Sequence, residues 1–246
     1  MSQSTSRSGA PIDARDARIG DMPAYVAKPL EAAHPPILIV VAEIFGLNDH
    51  IRDVVRRFAA EGYLAIAPDF FFRVGDPSKE NDIAAIRAIV MKVPDSEAMR
   101  DFDAALAFAT SLGGDATRAA ITGFCWGGRM VWLYAAHNPK LRAAVPWYGR
   151  LDGERTENQP QWPIDVADRL VVPYLGLYGG ADPSIPPPLV EEMRARLRAA
   201  PAQGEIVVYP DAPHAFFADY RESYREEAAR DAFARMLAFL KAHGAA

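Results

Sequence analysis

The sequence predicts an α/β fold, with a mostly parallel, doubly wound sheet covered by helices on both faces. Three observations predict it. Short continuous apolar runs, the mark of strands buried on both sides, recur along the chain. Segments with apolar residues at helical spacing stand between them. No repeat, linker or break in composition divides the 246 residues, so residues 1–246 read as one domain.

Residues 1–11 are polar and expected to be disordered. "ARIGDMPAYVAKP" (17–29) predicts two short strands joined at Gly20-Asp21. "PPILIVVAE" (35–43) predicts a fully buried strand. "HIRDVVRRFAAEG" (50–62) spaces Ile51, Val54, Val55 and Phe58 as a helix that stops at Gly62. "YLAIAP" (63–68) is a further strand, closed by proline. "SEAMRDFDAALAFATSL" (96–112) is an amphipathic helix with Met99, Phe102, Leu106 and Ala109 on one side. Then come the strand "RAAITGF" (118–124), the helix "GGRMVWLYAAH" (127–137) and the strands at 142–149, 170–180 and 204–210. A helix at 188–200 separates the last two strands, and another closes the chain at 224–244. The segment 149–169 is a long loop or holds a short lid helix; both readings stay open.

Composition narrows the functional classes. Half the residues are apolar, enough for a chain of this length to bury roughly three-quarters of its unfolded surface. A net charge of −5 with interspersed signs gives no footprint for nucleic acid. The polar N-terminus lacks a signal-peptide core, and "ILIVVA" (37–42) is far shorter than a membrane span. The single cysteine points to a reducing, cytoplasmic setting. With no CxxC, HxxxH or HExxH spacing, no metal or other cofactor is expected.

That cysteine lies in "ITGFCWGGRM" (121–130), between a predicted strand and a predicted helix. Gly123-x-Cys125-x-Gly127 differs from the nucleophile elbow Gly-x-Ser-x-Gly by one exchange. Side chains two residues either side of a nucleophile on so sharp a turn would strike neighbouring backbone, and glycine removes them. The helix that follows points its N-terminal amides at the sulfur. A phosphate loop is excluded, because Arg129 and Met130 stand where Lys and Ser/Thr belong. An inert buried cysteine in a glycine-rich turn is the competing reading.

The remaining residues decide between them. An α/β-hydrolase supplies nucleophile, acid and histidine in that order from the carboxyl ends of strands. Asp182 follows the next-but-one strand in "YLGLYGGADPSIP", where a simple turn-forming Asp is the alternative. His214 follows the final strand in "EIVVYPDAPHAFF". His34, His50, His137 and His243 lie before a strand, at helix ends or in the tail.

"EIFGLNDHIRDVVRRFAAEGYLAIAPDFF", "GFCWGGR" and "PDAPHAFF" resemble dienelactone hydrolases (carboxymethylenebutenolidases) over about residues 17–240. The resemblance implies an α/β-hydrolase fold of about eight strands and a Cys-His-Asp triad, mapped onto Cys125, His214 and Asp182. It implies an oxyanion hole from the backbone N–H groups of Ile44 and Trp126, and a part for Glu43 in activating the thiol. As a bare sequence feature, Glu43 also reads as a helix-cap partner or exposed turn acid. Trp147 and Tyr148 fall where the family has aromatics near the pocket, although strand-end aromatics commonly only pack. Phe45 and Arg87 join them as candidate substrate contacts.

Thiolate chemistry limits the reaction. A free thiol is only a few per cent ionised at neutral pH, so a base and an orienting acid are needed. A thiolate leaves a tetrahedral intermediate more readily than an ordinary alkoxide. Hydrolysis therefore favours esters or lactones whose other leaving group is stabilised, such as an enolate or phenolate. The expected activity is hydrolysis of an activated ester or lactone through an acyl-thioester, in a monomer or homodimer with no nucleic-acid or membrane partner.

The family's substrate-carboxylate arginine, four residues after the histidine, is Ala218 here. Arg221 is out of register, and Arg73 and Arg87 both suit the second arginine. Trp126 is bulkier than the family's leucine. A hydrolase-fold protein that binds or senses a small molecule without catalysis is thus the alternative function. Ser111, Ser184 and Ser223 lack an elbow, which leaves a serine esterase little footing.

Overall fold

The strands of the computed structural model are β1 (Gln3–Thr5), β2 (Pro11–Ile19), β3 (Met22–Pro29), β4 (Pro36–Val41), β5 (Leu64–Pro68), β6 (Asp115–Phe124), β7 (Ala143–Trp147), β8 (Tyr174–Gly179) and β9 (Gly204–Tyr209). The structure describes residues 3–5 and 11–246. The strands form one sheet in the order β1-β2-β3-β5-β4-β6-β7-β8-β9. Pairings are antiparallel from β1 to β5 and parallel from there to β9. Every residue of β4, β5, β7 and β8 is buried, as parallel strands covered on both faces require. In β2, by contrast, exposed and covered positions mix, as expected with one face towards solvent.

The sheet has nine strands among the described residues, one more than expected, because Gln3–Thr5 pairs with Pro11–Asp13. The disorder expected for residues 1–11 falls, for residues 1–2 and 6–10, outside the described residues.

The helices are α1 (Asp49–Ala60), α2 (Ile83–Val90), α3 (Asp95–Ser111), α4 (Trp126–His137), α5 (Pro163–Val166), α6 (Pro187–Leu197) and α7 (Glu226–Ala242). α1 starts where the Asn48 side chain accepts the Ile51 N–H (3.1 Å), and it buries the four apolar residues that predicted it. α1 and α7 share one face of the sheet, joined through Phe58 and Phe233 (5.3 Å between ring centroids). α3 and α4 pack on each other on the opposite face. α4 is buried from Trp126 to Ala135, so the helix after the elbow is a core element. The 149–169 segment holds α5 and a single 3-10 turn, Ala167–Arg169.

Arg129, one turn into α4, fastens that segment. Its guanidinium forms a two-pronged bond to Asp95 at the start of α3 (2.7 Å each), donates to the Gln161 carbonyl (2.7 Å) and lies over the Trp162 ring. Both partners are nearly out of water, with side chains 3% and 11% exposed.

The chain crosses from β4 to β5 on one side and then returns to β6 on the other, so the strand order reverses at β4. Ligands of open α/β sheets bind outside the carboxyl ends of strands at such a point. β4 and β6 pair in parallel there, with Val41 opposite Gly123.

Replacing Arg129 by Met strands the buried Asp95 carboxylate and should cost about 3–5 kcal/mol in urea denaturation. Adding Asp95→Leu should restore most of that loss.

Candidate active site

Five loops at the carboxyl ends of β4, β6, β7, β8 and β9 bring together Glu43, Cys125, Tyr148, Asp182 and His214. Cys125 sits on the turn between β6 and α4 with φ 55° and ψ −112°, a conformation side chains rarely adopt. A Cβ on Gly123 would lie 2.7 Å from the Gly127 carbonyl oxygen and from the Val41 side chain. One on Gly127 would press into the Val41 and Ala42 carbonyls. The steric cause assigned to the two glycines is thus present, and the close neighbour is β4. Tyr148 (φ 38°) and Ala215 (φ 60°) are the other non-glycine residues with positive φ among the described residues. All three lie in or beside this cluster.

Asp182 is 2% exposed. Its Oδ1 accepts from the Ser184 N–H (2.8 Å) and hydroxyl (2.6 Å), and its Oδ2 lies 2.6 Å from His214 Nδ1. Burial alone would raise the Asp182 pKa, but the His214 and Ser184 hydrogen bonds outweigh it and the carboxyl stays below its ordinary range. Cys125 lies close enough to His214 to act on its charge. Burial pushes the imidazole down, yet the Asp182 bond and the Cys125 contact more than offset it, lifting its pKa to about 10.

Ile44 and Trp126 each lie three residues beyond the paired Val41 and Gly123. Trp126 is the first residue of α4, so its N–H has no acceptor within the helix. Its ring packs on Phe71 (4.9 Å) and Phe70 (5.8 Å) and is 8% exposed.

Glu43 is 2% exposed. Burial raises its pKa, against the pull of Arg221 and His214. Oε2 accepts from the Tyr220 hydroxyl at 3.4 Å and lies 3.8 Å from Arg221 Nη1, while Oε1 has no partner. No hydrogen bond joins Glu43 to Cys125 among the described residues. The Arg221 guanidinium lies over the half-buried Phe45 ring (5.3 Å).

Adjacent strand residues face opposite ways, and Trp147, the last residue of β7, and Tyr148, which follows it, divide accordingly. Trp147 is fully buried, donates from its indole nitrogen to Thr122 Oγ1 (3.1 Å) and packs on Phe217 (4.6 Å), which makes it core. Tyr148 turns to the cluster, its ring edge against His214 (5.2 Å), and its buried hydroxyl has no partner. Burial, then the nearby Glu43 and Cys125, holds its pKa well above the ordinary phenol value.

Arg87 is exposed on α2, and no hydrogen bond or ion pair joins it to the cluster among the described residues. Arg73 is held by Asp101 (2.7 and 2.9 Å), and Ala218 is fully buried. Arg221, set aside in the sequence as out of register, is the arginine the fold brings to Glu43. Tyr220 and Ser184 carried no sequence signal for their positions. Among the described residues no group of His, Cys, Asp and Glu could hold a metal ion, and no helix is long and apolar enough to cross a membrane.

The dienelactone hydrolase family model matches residues 22–244. The chain is 55% identical over 226 residues to an Escherichia coli (strain K12) protein provisionally named a carboxymethylenebutenolidase, covering 91% of this chain and 83% of that one. It is 32% identical to a Bradyrhizobium protein provisionally named a 2-oxo-3-(5-oxofuran-2-ylidene)propanoate lactonase, covering 89% of each. A crystal structure from Klebsiella pneumoniae subsp. pneumoniae MGH 78578, provisionally named a dienelactone hydrolase, superposes with a TM-score of 0.91 at 56% identity. That match covers 94% of this chain and 98% of the other.

Because the folded His214 pKa lies above its usual 6.5, its contribution to stability is complete below pH 6.5 and is lost as pH rises towards about 10. Urea denaturation should accordingly show the gap between wild type and His214→Gln shrinking steadily over that interval. A gap that widens with pH would contradict the assignment.

Proposed function

The chain belongs to the dienelactone hydrolase family and is a carboxylic ester hydrolase, and from that premise we propose that it cleaves activated esters and lactones through an acyl-thioester on Cys125. The observation that carries the reading is the 2.6 Å bond from Asp182 to His214, with Cys125 close enough to the same imidazole to raise its pKa, at the reversal point of the sheet.

Asp182 fixes the imidazole by its Nδ1–H, which leaves the other nitrogen for the thiol. A raised imidazole pKa favours proton transfer from Cys125, and the start of α4 adds its dipole to the thiolate's stabilisation. The sulfur attacks the substrate carbonyl. The oxyanion then accepts from the N–H groups of Trp126 and Ile44, donors that need no rearrangement at the moment charge develops.

The intermediate expels whichever group leaves more easily. Against a thiolate, only a stabilised leaving group such as an enolate or phenolate competes, so enol lactones and aryl esters are the substrate class and amides are not. The Bradyrhizobium relative, named as a lactonase, supports the lactone side of that class. After the carbon–oxygen bond breaks the acyl group remains on sulfur, and water releases it.

Replacing Cys125 by Ala should lower turnover of p-nitrophenyl acetate and of an enol lactone by about a thousandfold or more while the fold persists. Unchanged rates in that variant would end the reading.

A further inference from the structure

Building on that reading, we propose that Glu43 and Tyr148 together seat the water that cleaves the acyl-thioester, with Glu43 Oε1 as its general base. Two buried polar atoms carry the inference. Glu43 Oε1 and the Tyr148 hydroxyl both lack a hydrogen-bond partner, and the hydroxyl lies near enough to the carboxylate to favour its charged form. Both residues are almost wholly shielded, at 2% and 0% exposure, and they lie beside each other and Cys125. Buried polar atoms left unpaired are costly, so a site keeps them for a ligand. A molecule that donates once and accepts once satisfies both, and water does so.

The rest of the surroundings hold this pair in place. Tyr220 and Arg221 occupy Glu43 Oε2, which directs the free lone pairs of Oε1 elsewhere. The Tyr148 N–H donates to the Leu177 carbonyl (2.8 Å), fixing a residue already in a rare backbone conformation. The phenol stays protonated and acts as a hydrogen-bond donor, not as an acid.

The chemistry asks for such a base. A leaving group that departs as an enolate or phenolate takes no proton from His214, and an imidazolium cannot accept one from water. Glu43 is the remaining base, and burial has moved its pKa towards neutrality, where general bases work best. The water oxygen bonds to the acyl carbon as one water proton passes to Glu43 Oε1. The carbon–sulfur bond breaks with its electron pair returning to Cys125 as thiolate beside the imidazolium. The proton on Glu43 then passes to the departing enolate or phenolate, or to solvent, and the carboxylate is restored.

The test separates the two half-reactions with p-nitrophenyl acetate. Release of p-nitrophenolate in the first turnover reports acylation, and intact-mass measurement after rapid quenching reports the acetyl group on Cys125. Glu43→Gln and Tyr148→Phe, each nearly isosteric and made separately, should slow loss of the acetyl group far more than they slow acylation. Loss of the acetyl group should slow about a hundredfold in Glu43→Gln and about tenfold in Tyr148→Phe. Hydroxylamine, which attacks without a base, should clear the adduct from wild type and variants equally fast, a result that general structural damage would not give. Slowed acylation with unchanged loss of the acetyl group would overturn the inference. A wild type that turns over without ever carrying acetyl on Cys125 would overturn the thioester reading itself, and this inference with it.

Discussion

A cysteine backbone held at φ 55° and ψ −112° costs of order 1–3 kcal/mol, and it persists only where its surroundings leave no alternative. Here β4 supplies that constraint. Gly123 and Gly127 lie so close to Val41 and Ala42 that any side chain would collide, and the Cys125 N–H is held by the Trp147 carbonyl at 3.0 Å. The strain is set against the packing of α4, buried from Trp126 to Ala135. One turn therefore fixes three things at once: where the sulfur points, where the first N–H of α4 points, and how near Glu43 lies.

Around the sulfur, burial and pairing act against each other with different outcomes. For Asp182 and His214 the mutual bond at 2.6 Å wins, so each is shifted towards its charged form. For Glu43 burial wins, because Arg221 stands 3.8 Å away and Oε1 has no partner. Two carboxylates of similar exposure are thus shifted in opposite directions, and groups so separated commonly divide acid and base work between them.

The parts of the fold legible in sequence are those where burial dictates composition. "ILIVV" and "YLGLY" could hardly be anything but covered strands, and the order Cys125, Asp182, His214 follows from where the strands end. Gln3–Thr5 escaped because three polar residues carry no strand pattern, and α2 because its eight residues expose Ile83 and Arg87. Trp147 and Tyr148 looked alike in sequence, and only the alternation of faces at the end of β7 sends one to the core and the other to His214. The place of Arg221 beside Glu43 was not legible because residues 215–225 form successive turns, in which counting from His214 does not say where a side chain points. Ser184 and Tyr220 act through hydrogen bonds to Asp182 and Glu43 that no local pattern announces.

The chemistry of the site depends on His214 being kept charged beside Asp182 and Cys125. A nitrogen-15 NMR titration of the His214 imidazole measures this directly. The ring should stay protonated through neutral pH and lose its proton near pH 10, falling back towards 6.5 when Cys125 is replaced by Ala and Asp182 by Asn. An imidazole that titrates near 6.5 in the unaltered protein would contradict it.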